Sequence, residues 1–248
     1  MGSRIFLAGA TGVIGTRLIP MLCAAGHTVA GSTRSAAKVP RVQAMGAQAV
    51  VVDVFDAKAL TRALMDFAPQ IMIHQLTDLP QALMARDMDA AIARNARIRT
   101  QGTTHLVRAA LAAGARRLVA QSIAWAYAPG AEPHRETDPL DLTADGSRGV
   151  TIAGVAALER QVLAERSLHG VVLRYGRLYG PGTGSETAPA ALPLHVDAAA
   201  HAAVLAVEST ATGVFNIVEA NDEVATEAAQ TVLGWRAGFR CVEAVHGR

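Results

Sequence analysis

Residues Ile5-Phe6-Leu7-Ala8-Gly9-Ala10-Thr11-Gly12-Val13-Ile14-Gly15 run from an apolar stretch through three spaced glycines into a helix-like segment. The four apolar residues before Gly9 read as a buried strand. Val13, Ile14, Leu18, Met21, Leu22 and Ala25 recur at helical spacing on one face. Glycines in a strand-to-helix turn let the backbone approach a pyrophosphate closely, and the helix N-terminus presents free N–H groups and the positive end of its dipole. In this context Gly9, Thr11, Gly12, Val13, Ile14 and Gly15 are expected to cradle a dinucleotide phosphate. The alternative is a glycine-rich turn with no ligand. The 22 glycines among 248 residues are near ordinary usage, so placement rather than number favours the first reading.

Outward from this turn, β-type runs recur at Ile5–Ala8, Thr28–Gly31, Ala49–Val54, Ile71–His74, Arg117–Ala120, Val171–Leu173 and Val214–Val218. Segments of helical spacing separate most of them, carried by Leu60, Leu64 and Phe67, then by Leu106, Val107, Ala110 and Leu111, then by Val155, Leu158, Val162 and Leu163. Pro20 is expected to kink the first helix or remove one of its hydrogen bonds. Such alternation predicts an α/β fold, a doubly wound parallel sheet of the Rossmann type. One domain over 1–248 is expected, with 1–180 the cofactor-binding core and 181–248 a small substrate-side portion. Helix propensity accounts for the alanine-rich tract Asp197–Val207, and Trp235 and Phe239 are expected to pack back on the core.

The bulk numbers exclude several classes. An apolar content of 51% argues against disorder, and a net charge of +2 offers no electrostatic case for nucleic acid or an anionic membrane. All but two of the basic residues are arginine, the exceptions being Lys38 and Lys58. Cys23 and Cys241 lie far apart with no metal-ligand spacing, so neither a disulfide framework nor a metal site is expected, and a reducing cytoplasm is the default. The first strand begins too early for a signal peptide, and no run approaches the roughly 18 apolar residues of a membrane span.

At the end of the second strand a dinucleotide fold selects NAD with a carboxylate that accepts from the ribose hydroxyls. Here the residues are Gly31-Ser32-Thr33-Arg34, with no acid. A guanidinium grips a 2′-phosphate that a carboxylate would repel, so Arg34, aided by Ser32, Thr33 or Lys38, favours NADP(H) and leaves NAD(H) open. A solvated surface arginine is the alternative. Gln75, Leu76 and Thr77 end the fourth strand at the carboxyl edge, where ligands sit in such sheets. His74 reads as a satisfied strand-end histidine.

Taken together, G-A-T-G-V-I-G at 9–15, V-V-V-D at 50–53, I-H-Q-L-T at 73–77 and G-T-T-H-L-V-R-A-A at 102–110 resemble the short-chain dehydrogenase/reductase superfamily. So do V-A-Q-S at 119–122, L-R-Y-G-R-L-Y-G-P-G at 173–182, H-V-D at 195–197 and G-V-F-N-I at 213–217. The closest likeness is to its extended and atypical branch, the NAD-dependent epimerase/dehydratase-like proteins. The resemblance implies that Asp53, with Val54 at the end of the third strand, accepts from the adenine amino group. It also places Gln75, Leu76 and Thr77 beside the nicotinamide ribose. A helix N-cap is the other reading of Asp53. The segments after Gly182 and Asn221 are shorter than the resemblance leads one to expect. A homodimer through helices at 87–113 and 150–168 is open on the same ground.

The superfamily's catalytic device, a Tyr four residues before a Lys on one helix, is missing. Thr151 stands at the Tyr position and Val155 at the Lys position. Tyr127, Tyr175 and Tyr179 are followed four residues on by Ala131, Tyr179 and Thr183. The helix asparagine of the family falls on Arg99, and its catalytic hydroxyl on Ile123 or Ser122. A threonine hydroxyl with no adjacent cation does not replace an acidified phenol. Ser122, Tyr127 and Tyr175 are the candidate catalytic groups, Tyr175 also standing beside the cofactor. Tyr179, His134 and His195 have structural readings, and Glu159 is read as a solvated or Arg-paired helix residue. Three functions stay open: an NADP(H)-dependent oxidoreductase passing hydride to a small carbonyl or activated double bond, a non-catalytic NAD(P)-binding sensor or scaffold, and a sugar-nucleotide epimerase. A small-molecule substrate is expected, with no nucleic-acid or membrane partner.

Overall fold

The computed structural model describes residues 2–78 and 87–241. Seven parallel strands form one sheet in the order β3-β2-β1-β4-β5-β6-β9. They are β1 (Arg4–Ala8), β2 (Thr28–Thr33), β3 (Gln48–Val51), β4 (Ile71–His74), β5 (Arg117–Ile123), β6 (His169–Tyr175) and β9 (Gly213–Ile217). Strand β1 is central: Ile5 lies beside Val29 on one side and Ile71 on the other. Helices cover both faces, because strands buried on two sides carry near-continuous apolar runs. Against one face pack α1 (Val13–Ala24), α2 (Val39–Ala44) and α7 (Val196–Glu208). Against the other lie α3 (Ala57–Phe67), α5 (Thr103–Ala112) and α6 (Gly146–Ala164), with α4 (Met88–Arg97) packed on α6. This is the doubly wound parallel sheet expected from the alternation.

Three strands run longer than expected, β2 to Thr33, β5 to Ile123 and β6 over His169–Tyr175. Ladder pairing carries these strands into polar residues; past Ala120, β5 pairs with β6 alone, Ser122 lying beside Arg174. The third strand is shorter than the expected Ala49–Val54 and ends at Val51. Past it the Asp53 carboxylate accepts from the Phe55 N–H (2.9 Å), a local turn that competes with the ladder. Asp56, not Asp53, caps α3, accepting from the Ala59 N–H.

The alanine tract of α7 has a packing cause beyond helix propensity. Ala198, Ala199, Ala200, Ala202, Ala203 and Ala206 are fully buried, so small side chains bring this helix close to α1 and the sheet. Arg117 at the start of β5 donates to the Ala206 and Ala211 carbonyls, placing a cation at the C-terminal end of α7. Trp235, almost fully buried, donates its indole N–H to the Ala198 carbonyl, and Phe239 stacks on His201. Residues after 180 thus serve two places. They supply α7, β9 and α8 (Glu227–Val232), and they supply β8 (Pro193–His195), which pairs with β7 (Arg177–Tyr179) in a two-stranded ribbon. Among the described residues no helix is long and apolar enough to cross a membrane, no cluster of His, Cys, Asp and Glu is arranged to hold a metal ion, and both cysteines are free thiols.

Leu22 is fully buried in the layer between α1 and the sheet. Leu22→Ala is expected to cost about 2–5 kcal/mol. In urea titration this appears as a lower midpoint with an unchanged slope.

Candidate functional site

The strand order reverses between β1 and β4, and a crevice opens there outside their carboxyl ends. A cleft of about 790 Å³ occupies this position. Gly9, with φ of +99°, makes the turn at its floor; a Cβ there would come within 2.7 Å of the Gln75 carbonyl oxygen. Gly15 serves helix seating instead, since its Cβ would lie 2.2 Å from the Gly9 oxygen. No side chain caps α1 at Gly12, so the first N–H groups of the helix face the cleft without a partner of their own. Of the residues expected around the cofactor, Gly9, Thr11, Gly12, Val13, Arg34, Val54, Gln75, Leu76 and Thr77 line the cleft. Ile14 and Gly15 are buried behind it in α1, and Asp53 is exposed beyond the end of β3.

One end of the cleft is cationic. Arg34, Lys38 and Arg41 line it beside Ser32 and Thr33, with no carboxylate at the end of β2. The Arg34 guanidinium is more than half exposed and lies 3.7 Å from the Asp78 carboxylate, which also receives Arg94 (3.3 Å). The Asp78 N–H in turn donates to Asn95 Oδ1. Sequence reasoning missed Asp78 and Asn95, which the approach of α4 to the end of β4 brings here, and Arg41, which α2 supplies beside Lys38. At the other end, Gln75 Nε2 donates to the Tyr175 hydroxyl while Gln75 Oε1 is buried with no partner. These features suit a dinucleotide: free helix N–H groups for a pyrophosphate, cations at one end, and an orphaned acceptor for a hydroxyl at the other.

The candidate catalytic hydroxyls are all committed inward. Ser122 Oγ, buried, donates to Glu159 Oε1 (2.6 Å). Tyr127 donates to Asn216 Oδ1 (2.7 Å), stacks on His134 and lies under the Arg174 guanidinium; burial pushes its pKa up. Tyr175 donates to the Ala199 carbonyl, and full burial raises its pKa strongly. Tyr179 donates to Glu219 Oε2 and receives Arg240. His195 Nδ1 accepts from the Asp197 N–H at the start of α7, and His134 pairs with Asp138. Thr151 donates to the Ser147 carbonyl one turn back, and Val155 is fully buried.

Glu159 is the centre of a buried polar layer. Arg174 grips its carboxylate with both arms, Nε to Oε1 at 3.0 Å and Nη2 to Oε2 at 2.7 Å, which resolves the solvated-or-paired alternatives in favour of the pair. Burial works against the Arg174 cation, but the Glu159 bonds and charge outweigh it and raise its pKa. His74 is satisfied at both nitrogens: Nδ1 accepts from the Leu76 N–H, and Nε2 donates to Thr103 Oγ1, whose own proton goes to the Ile98 carbonyl.

This is the architecture of an NAD(P)-binding Rossmann protein. The chain belongs to the NAD dependent epimerase/dehydratase family, whose model matches residues 5–225. It is similar to a 3-diazoavenalumate denitrifying reductase from Streptomyces sp, 45% identical over 246 residues that span 91% of this chain and 78% of the relative. Among solved structures it resembles the Bordetella bronchiseptica enzyme WbmG in complex with NAD, with a TM-score of 0.73 and 21% identity over 97% of this chain and 91% of that one. It also resembles UDP-glucose-4-epimerase from Stenotrophomonas maltophila, bound to NAD and formylated UDP-arabinopyranose, with a TM-score of 0.77 and 18% identity over 96% and 94% of the two chains. The last two likenesses are of fold.

Burial, with the nearby Arg99 charge, lowers the pKa of His74 to about 4 from 6.5. The unfolded chain takes up this proton near pH 6.5 and the folded chain only near pH 4, so the His74 contribution is full above pH 6.5 and is lost as pH falls toward 4. Linkage sets it at roughly 3 kcal/mol. His74→Gln is expected to flatten the wild-type loss of stability over that window, read as urea midpoints measured at successive pH values.

Proposed function

We propose that the protein is an NADP(H)-dependent reductase that delivers hydride to a small electrophile which needs no proton from the enzyme, a diazonium ion being the fitting class. The observation that carries this reading is the inward commitment of Ser122, Tyr127 and Tyr175, together with the missing Tyr-x-x-x-Lys. Reduction of a carbonyl ends with a proton on oxygen, and a sugar-nucleotide epimerase begins by removing one. Hydride addition to a diazonium-type carbon, R–N≡N⁺ + H⁻ → R–H + N₂, balances in atoms and charge with no acid, because the leaving group is neutral dinitrogen. The similarity to a denitrifying reductase of a diazo compound supports the same class.

A bound reduced nicotinamide supplies the hydride. The chain's residues would bind and orient it: the turn at Gly9–Val13 would receive the pyrophosphate, and Gln75 Oε1, without a partner among the described residues, would accept from a ribose hydroxyl. Arg34, Lys38 and Arg41, with no acid at the end of β2, support NADP(H) over NAD(H). Exposed Val150 and Leu163 on α6 support a homodimer through that helix.

Arg34→Ala is expected to weaken NADPH binding by about 10- to 100-fold, the worth of a charge-assisted bond, and to leave NADH within about twofold. Calorimetric titration with both cofactors checks this, and equal losses refute the phosphate role. For turnover, deuterated NADPH with a diazonium substrate is expected to give N₂ and one deuterium on the denitrified carbon. Tight cofactor binding with no deuterium transfer to any diazonium ion, carbonyl or enone would instead establish the non-catalytic sensor.

A further inference from the structure

Arg99 is the one feature of the buried layer that these roles leave unused. It belongs to a π-helical turn, Ile98–Gly102, that joins α4 to α5, a rare distortion enriched at functional sites. Ile98 just before it lines the cleft. Opposite stands Gly154 on α6, where a Cβ would come within 3.2 Å of Ala96 Cα and 3.5 Å of Arg99 Cδ. The glycine lets α4 approach closely at Ala96, and the arginine stem lies in ordinary contact distance beside it. The residue is only 6% exposed, yet among the described residues no hydrogen bond or ion pair holds its guanidinium.

The neighbouring groups are already spent. Both oxygens of Glu159 are taken by Arg174, and Oε1 also by Ser122. Glu136 Oε1 accepts from the Asn216 N–H. His74 is bonded at both nitrogens and is neutral at physiological pH. Burial lowers the Arg99 pKa to about 10, with Glu159 opposing the shift, so the guanidinium is charged at neutral pH. Arg99 and Arg174 both feel the charge of Glu159, whose oxygens bond Arg174, so among the described residues Arg99 has no hydrogen-bonded counter-ion of its own. Such a charge costs stability unless an anion completes it.

We infer that Arg99, behind the cleft wall formed by Ile98, is an anion anchor, and that the molecule reduced carries a carboxylate, which the planar guanidinium receives with two parallel hydrogen bonds. The inference deepens the reductase reading and depends on it only for the fate of the bound molecule, since anion capture precedes any chemistry.

The test uses the NADPH-loaded protein with trans-cinnamate and benzoate as probes, each against its amide, measured by calorimetry in wild type, Arg99→Gln and Arg99→Lys. Wild type is expected to prefer the acids. Arg99→Gln is expected to lose about a hundredfold in acid affinity, as for truncation of a buried charged pair, with amide and NADPH binding unchanged; Arg99→Lys keeps the charge without the fork and falls between. Arg99→Met in the ligand-free protein is expected to raise Tm by a few degrees, because it removes a buried charge with no hydrogen-bonded counter-ion of its own. A marked fall in Tm would make Arg99 a structural partner of Glu159 and overturn the inference. So would acid and amide affinities that fall together, or a wild type blind to both acids. Carboxylate capture without turnover of any diazonium acid leaves the anchor standing and refutes the reductase reading alone.

Discussion

Helix α1 meets strand β1 so closely that Gly15 lies against the carbonyl of Gly9, where any Cβ would come within 2.2 Å of the oxygen. That contact sets the angle at which the helix leaves the turn, and it aims the uncapped N-terminus across the carboxyl ends of β1 and β4. The alanine face of α7 repeats the device on the far side of α1, so the helix is held between two surfaces of small groups. The crevice is the space left where the strand order reverses, and its depth depends on α1 sitting where Gly9 and Gly15 allow it.

On the opposite face of the sheet the fold places charge where its relatives by resemblance place a proton relay. Glu159 and Arg174 are bound bidentately under the carboxyl edge, with Ser122 on the same carboxylate and the Tyr127 ring beneath the guanidinium. A buried pair of this kind is costly to break, because removing either partner leaves a bare charge. The hydroxyls of this layer, on Ser122 and Tyr127, are both hydrogen-bonded within it. Under the proposed function, chemistry at this edge is driven by the electrophile and its leaving group. A denitrifying hydride transfer meets that requirement.

The cofactor end follows a different economy. Arg34, Lys38 and Arg41 are accessible, and Asp78 restrains Arg34 from one side without neutralising the cluster. Exposed cations keep most of their hydration, so they recognise a phosphate at little cost to the fold. The buried Arg99 gives up hydration and, among the described residues, gains the charge of Glu159 but no hydrogen bond, and that asymmetry separates it from the exposed cations.

Much of this was legible in the residues alone. The apolar runs, their alternation with helical spacing and the turn at Gly9–Gly15 determined a doubly wound parallel sheet and the position of its cleft, because strand burial and glycine stereochemistry are local properties. The absence of an acid after β2 and of a Tyr-x-x-x-Lys was equally plain. The tertiary structure alone decided that Asp56 rather than Asp53 caps α3, that Glu159 pairs with Arg174, and that Asp78 and Arg41 come to the cofactor end. It also decided that Ser122, Tyr127 and Tyr175 turn their hydroxyls inward. Apart from the local Asp56 cap, these depend on how distant parts of the chain pack together. Sequence periodicity says which face a side chain takes, whereas the packing of two elements against each other decides which polar group it meets there.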